Sequence, residues 1–139
     1  MRVFLGAAAL AAAALITISC GGSVTDPSQN TTDTFNGTIT PVKLGGTGSG
    51  QQHTFNVGSG GEYTIKVTTM TPSFGSNFGV YLLTGSGCGV LVNQSLTAIV
   101  GVQALTGPIS QTGQYCVIVS DYYGLMTAVE SYTVTVSHP

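Results

Sequence analysis

The chain has 139 residues, enough for one domain, and only 6% of them are charged, against roughly 25% in an ordinary soluble domain. Three Lys/Arg against five Asp/Glu give a formal net charge of -2, which leaves no basic surface to neutralise phosphates and excludes nucleic acid as a partner. Two His and five carboxylates form no legible set of acid, base and nucleophile, so neither an enzyme nor a cofactor is expected.

The N-terminus carries an export signature. Arg2 precedes an uncharged apolar run over positions 3–18, which is shorter than the ~20 residues a membrane-spanning helix needs. A short positive region followed by a compact apolar one predicts a secretory signal peptide over 1–19. Ile18, Ser19 and Cys20, with Leu15 and Ile16 just upstream, resemble a bacterial lipobox, with Thr17 standing where that pattern has an aliphatic residue. The resemblance implies that Cys20 becomes the acylated, palmitate-bearing first residue of the mature chain. Several acyl chains anchor stably where one does not. Gly21 rather than Asp after Cys20 further implies an outer-membrane address, so the expected location is the cell envelope, reached by export and held through lipid. The alternative is an ordinary signal peptide whose nearby Cys20 pairs with another cysteine.

With Cys20 assigned to lipid, Cys88 and Cys116 are left as an even pair in an oxidising compartment. Closing a loop of that length contributes about 3–4 kcal/mol in the chain-entropy picture. Two buried free thiols are the other reading. Cysteines at zinc-site spacing are absent, and no metal is expected.

Residues 20–33 are mostly Ser, Thr, Asn, Gln, Asp, Gly and Pro, with Val24 the only aliphatic residue and little to bury, and are expected to be a flexible linker. The domain is then expected over 34–139. In it, apolar residues alternate with polar ones: Phe55 and Val57; Tyr63, Ile65 and Val67; Phe78, Val80 and Leu82; Tyr115, Val117 and Val119; Tyr132, Val134 and Val136. Each set has the period of two of a half-buried strand. Two weaker candidates are 35–40 and 96–103. Stretches rich in Gly, Ser, Asn and Pro separate them, and no helical period occurs after the signal peptide. The fold class expected is all-β: an antiparallel β-sandwich, jelly-roll or immunoglobulin-like, of seven to eight strands after an N-terminal signal segment.

Two strands share the form G-x-Y-x-[IV]-x-V: the run of Gly61, Tyr63, Ile65 and Val67, and that of Gly113, Tyr115, Val117 and Val119. A closing Tyr132-Thr133-Val134-Thr135-Val136 strand, the opening Phe35-Asn36-Gly37, a strand from Gln52 to Val57, and Asn77-Phe78-Gly79-Val80-Tyr81-Leu82 complete the order. Taken together this order resembles the bacterial pre-peptidase C-terminal domain over nearly the whole globular part. The resemblance implies a jelly-roll-like sandwich that serves as an accessory module of secreted enzymes, some members of which bind carbohydrate or collagen. Asn77 and Gly79 stand where that family carries two Asp, so the resemblance does not carry a calcium site to this turn. A catalytic domain for the module to accompany is also missing from the sequence.

The remaining motifs are weak. The glycine-rich stretch 45–50 has no helix after it and no Lys, so it reads as a hairpin loop and not as a phosphate cradle. His53 and His138 are the only imidazoles for a catalytic triad, and neither lies near a nucleophile motif. Asp121 and Glu130 flank one loop, as calcium ligands or as two solvated acids. The best binding candidates are Tyr122 and Tyr123, which cannot both follow a core face, with Phe74 and Phe78 extending the surface. Either these rings form a stacking platform or they cap the sandwich core. The expected function is therefore a non-catalytic, membrane-anchored surface or periplasmic lipoprotein that binds a glycan or an envelope protein. The alternative is a structural or assembly lipoprotein of the envelope with no small ligand.

Overall fold

The computed structural model describes residues 26–42 and 49–139. The signal peptide 1–19, the acylation candidate Cys20 and most of the glycine-rich stretch 45–50 lie outside the described residues. Eight strands follow one another: β1 (Thr31–Ile39), β2 (Ser49–Val57), β3 (Gly61–Thr71), β4 (Phe78–Thr84), β5 (Val90–Ala98), β6 (Gln103–Ile109), β7 (Gly113–Ser120) and β8 (Glu130–His138). Every pairing is antiparallel, in the order β5-β4-β7-β2-β1-β8-β3-β6. Among the described residues, β1 and β2 pair only at Ile39 and Gly50. The sheet therefore folds over at that point into two leaves, β1-β8-β3-β6 and β2-β7-β4-β5. This is the all-β sandwich expected, with jelly-roll connectivity.

The alternation seen in the sequence places the core between the leaves. Tyr63, Ile65 and Val67 of β3, Phe78, Val80 and Leu82 of β4, Val117 and Val119 of β7, and Tyr132, Val134 and Val136 of β8 are all buried. Each such aliphatic side chain contributes about 1.5–3 kcal/mol on leaving water.

Two expectations shift. The linker expected to run to Asp33 ends earlier, because Thr31 to Asp33 already pair with His138 to Val136 in β8. Asn30 fastens this point by donating from Nδ2 to the Glu62 carbonyl at 2.8 Å and to Ser137 Oγ at 3.2 Å. The weak candidate at 96–103 is not one strand. It holds the end of β5, a turn at Ile99 to Val102, and the first residue of β6, with Gly101 at φ +81° turning the chain.

Strand direction alternates along the chain, so the connections sort to two ends. The β1–β2, β3–β4, β5–β6 and β7–β8 loops lie at one end and all cross between leaves. The other three connections lie at the opposite end, where the described chain also enters β1.

Candidate functional site

The four-loop end carries the exposed aromatic residues. Across it, the strand order places the loops in the sequence β1–β2, β7–β8, β3–β4, β5–β6. Asp121, buried at 2% exposure, organises the middle of this row. Its Oδ1 accepts from the backbone N–H of Leu125 at 2.9 Å and of Met126 at 3.3 Å, and its Oδ2 accepts from Val42 N–H at 3.3 Å. One carboxylate thus closes the β7–β8 loop on itself and ties it to the β1–β2 connection. Met126 is driven into the core, which turns the residues before it outward. Tyr122 and Tyr123 are 52% and 48% exposed, and they pack edge to face with centroids 5.0 Å apart at 84°. They are not core caps.

Of the neighbouring rings named with them, Phe78 is fully buried and offers no surface. Phe74 is half-buried against the core. A shallow groove of about 380 Å³ instead joins Ser76 and Asn77 of the β3–β4 loop to Tyr123 and Leu125. Ser76 and Leu125 carried no pattern in the sequence that would mark them; the meeting of two loops so far apart in sequence is a product of the topology. Gly79, where the resembling family has an Asp, is packed tight: a Cβ there would meet Ser120 Oγ at 2.8 Å and the Tyr81 ring at 2.9 Å.

The two imidazoles have structural partners. His53 sits in the opening between β1 and β2 below the Ile39–Gly50 junction, stacked on Phe35 with centroids 5.1 Å apart. Its Nε2 lies 2.9 Å from the Tyr132 hydroxyl, which donates to the Gln51 carbonyl at 3.2 Å. Because the phenol spends its proton on Gln51, His53 donates to it from Nε2. Burial pushes the Tyr132 phenol up to about 12 and lowers the His53 pKa below its ordinary value. Tyr132 is therefore a neutral hydroxyl and His53 a neutral donor, an arrangement that closes a seam. Outside this seam a groove of about 470 Å³ is lined by Asn36, Thr38, Thr69, Thr71, Ser131 and Thr133, among others. His138, at the other end of β8, meets Asp33 Oδ2 at 3.1 Å and lies against the Phe55 ring.

The carboxylates Asp121 and Glu130 are both buried and are not the solvated acids of the other reading. The oxygens of Asp121 are occupied by backbone donors, and Glu130 is buried with Oε2 lacking a hydrogen-bond partner among the described residues. Among the described residues no group of three or more His, Cys, Asp or Glu is placed to hold a metal ion. Burial raises the Glu130 pKa above its ordinary value of 4.5. The unfolded chain therefore releases this proton first, so Glu130 costs stability as pH rises from about that value through the folded pKa. Thermal melting should show Glu130→Gln matching the wild type near pH 4 and melting higher at pH 7. Equal wild-type and variant melting temperatures at both pH values would contradict this assignment.

Cys88 and Cys116 lie at disulfide distance, with Cα atoms 6.0 Å apart at a sequence separation of 28. Gly85 and Gly87, both at positive φ, allow the tight turn that folds Cys88 onto β7. No helix among the described residues is long and apolar enough to cross a membrane.

The fold and its loop end define an eight-stranded jelly-roll sandwich with an exposed aromatic face. The chain matches no family model and no curated protein.

Proposed function

We propose that this protein is a non-catalytic, membrane-anchored lipoprotein of the cell envelope that acts as a binding module for a glycan or protein ligand. The observation that carries this reading is the pair Tyr122 and Tyr123, half exposed on a loop that a buried Asp121 holds rigid. Rigid, amphipathic rings give contact area at low entropic cost, which suits them to recognition. Charge adds support, since among the described residues of the four loops only Asp121 is charged, and it is buried.

Geometry fits an anchor at Cys20. The described chain enters β1 at the end opposite the four loops, and the nine residues of β1 span roughly 30 Å. An acyl chain at that end would leave the tyrosines farthest from the membrane. The pairing of Cys88 with Cys116 belongs to the same exported setting. A second reading, a structural lipoprotein packed in an envelope assembly, has one observation in its favour. Val90, Leu91 and Val92 are all exposed on β5, at the edge of its leaf.

Cells fed an alkyne fatty acid should label the wild type and not Cys20→Ser, and mass spectrometry of the mature protein should find the Cys88 and Cys116 peptides linked. Tyr122→Ala and Tyr123→Ala should each cost only about 1 kcal/mol in melting while together abolishing ligand retention. A large loss of stability in both would place the rings in a packing role and remove the binding face.

A further inference from the structure

Resting on the binding-module reading, the geometry points to an uncharged saccharide as the ligand, with one sugar ring seated in the groove of Ser76, Asn77, Tyr123 and Leu125. The groove's volume, about 380 Å³, falls in the range of small-molecule sites, roughly 300–1,000 Å³. Its lining is of two kinds. Tyr123 and Leu125, both close to half exposed, supply apolar surface to the C–H face of a ring. Ser76 and Asn77, from the facing loop, supply a hydroxyl and an amide that donate and accept, matching the hydroxyls around a ring's edge. None of the four is charged, so among the described residues the lining has no counter-ion for a phosphate, a carboxylate or an ammonium group.

The groove is also held in shape before any ligand arrives. The Tyr122 ring stands at 84° to that of Tyr123 and braces it. Asp121 fixes the backbone of Leu125 by accepting its N–H at 2.9 Å. On the facing wall, Asn77 directly precedes the fully buried Phe78, so the amide rises from the anchored start of β4. Little ordering is left for the ligand to impose, which is what a stacking site needs to bind measurably. A shallow groove with a polar wall and an aromatic wall matches the hydroxyl edge and the C–H face of a sugar ring.

The full mature protein in detergent micelles should be titrated calorimetrically with cello-, chito- and malto-oligosaccharides and with polygalacturonate. We expect at least one neutral oligosaccharide to bind. Tyr123→Ala should weaken it about tenfold and Asn77→Ala several-fold, while Tyr123→Phe keeps most of the affinity. Val90→Ser, at the opposite end of the sandwich, should change nothing. Equal binding by wild type, Tyr123→Ala and Asn77→Ala would overturn the groove assignment. Binding of polygalacturonate alone would overturn the uncharged class. If no saccharide binds while an envelope protein cross-links to the wild type and not to the double Tyr122→Ala, Tyr123→Ala variant, the saccharide is wrong and the binding-module reading stands. If neither saccharide nor protein is retained, both fall.

Discussion

Asp121→Ala should lower the melting temperature by on the order of 15 °C and remove ligand retention together. The carboxylate accepts three backbone N–H bonds while almost fully out of water. Hydrogen bonds to a charged acceptor contribute about 1.5–3 kcal/mol, and each buried donor left unpaired costs about 1–3 kcal/mol. A net loss of about 3 kcal/mol is therefore a modest expectation, a large share of the 5–15 kcal/mol typical of a domain. At about 4–8 °C per kcal/mol for a domain near 100 residues, the shift follows. Asp121→Asn should fall between, because its amide oxygen can still serve Leu125 and Met126 while the bond to Val42 is lost. Scanning calorimetry of both variants checks the order. If Asp121→Ala melts within a few degrees of the wild type, water or another acceptor has replaced the carboxylate, and the loop is not held as described.

The second large effect lies at the seam, where Gly50→Ala should cost about 3 kcal/mol and Gly37→Ala about 2 kcal/mol, by urea titration. Both glycines leave space for the Tyr132 hydroxyl between β1 and β2. A Cβ on Gly37 would lie 2.6 Å from that oxygen, 2.7 Å from Cζ and 2.9 Å from His53 Nε2. On Gly50 it would strike the backbone carbonyl of Val119 and approach the Tyr132 hydroxyl at 3.1 Å. A side chain can yield where a central strand cannot, which sets the order of the two costs. Tyr132→Phe should partly rescue Gly37→Ala, since it removes the nearest atom, and should not rescue Gly50→Ala, whose obstacle is β7 itself. Rescue of both would mean that the phenol alone enforces the seam. Rescue of neither would mean that Tyr132 is not what the Gly37 position accommodates.

Much of this architecture was legible as alternation. Tyr63, Ile65 and Val67, or Tyr132, Val134 and Val136, have one face toward the core and one toward solvent, and a period of two survives any arrangement of neighbours. Strand β5 was not legible in full, and its register shows why. Leu83 and Leu82 pair with Leu91 and Asn93, so Val92 is an extra residue, and a second irregularity falls between Ser95 and Ala98. Each bulge breaks the alternation by which a strand is recognised. The start of β1 was hidden for a different reason. Thr31 to Asp33 bury almost nothing of their own, and only the ladder to β8 makes them a strand.

The site divides the same way. By itself the sequence determined that the domain is all-β, that its loops are nearly free of charge, and that two adjacent tyrosines in a loop cannot both face inward. These follow from composition and local period, which no fold can alter. Only the tertiary structure decided that Phe78 is core while Tyr122 and Tyr123 are exposed, and that Asp121 is a buried acceptor for three backbone donors. It alone brought Asn77 to Tyr123 and His53 to Tyr132. Those pairs are brought together by strands crossing between two leaves, and a one-dimensional pattern carries no information about which distant loops the crossing makes neighbours.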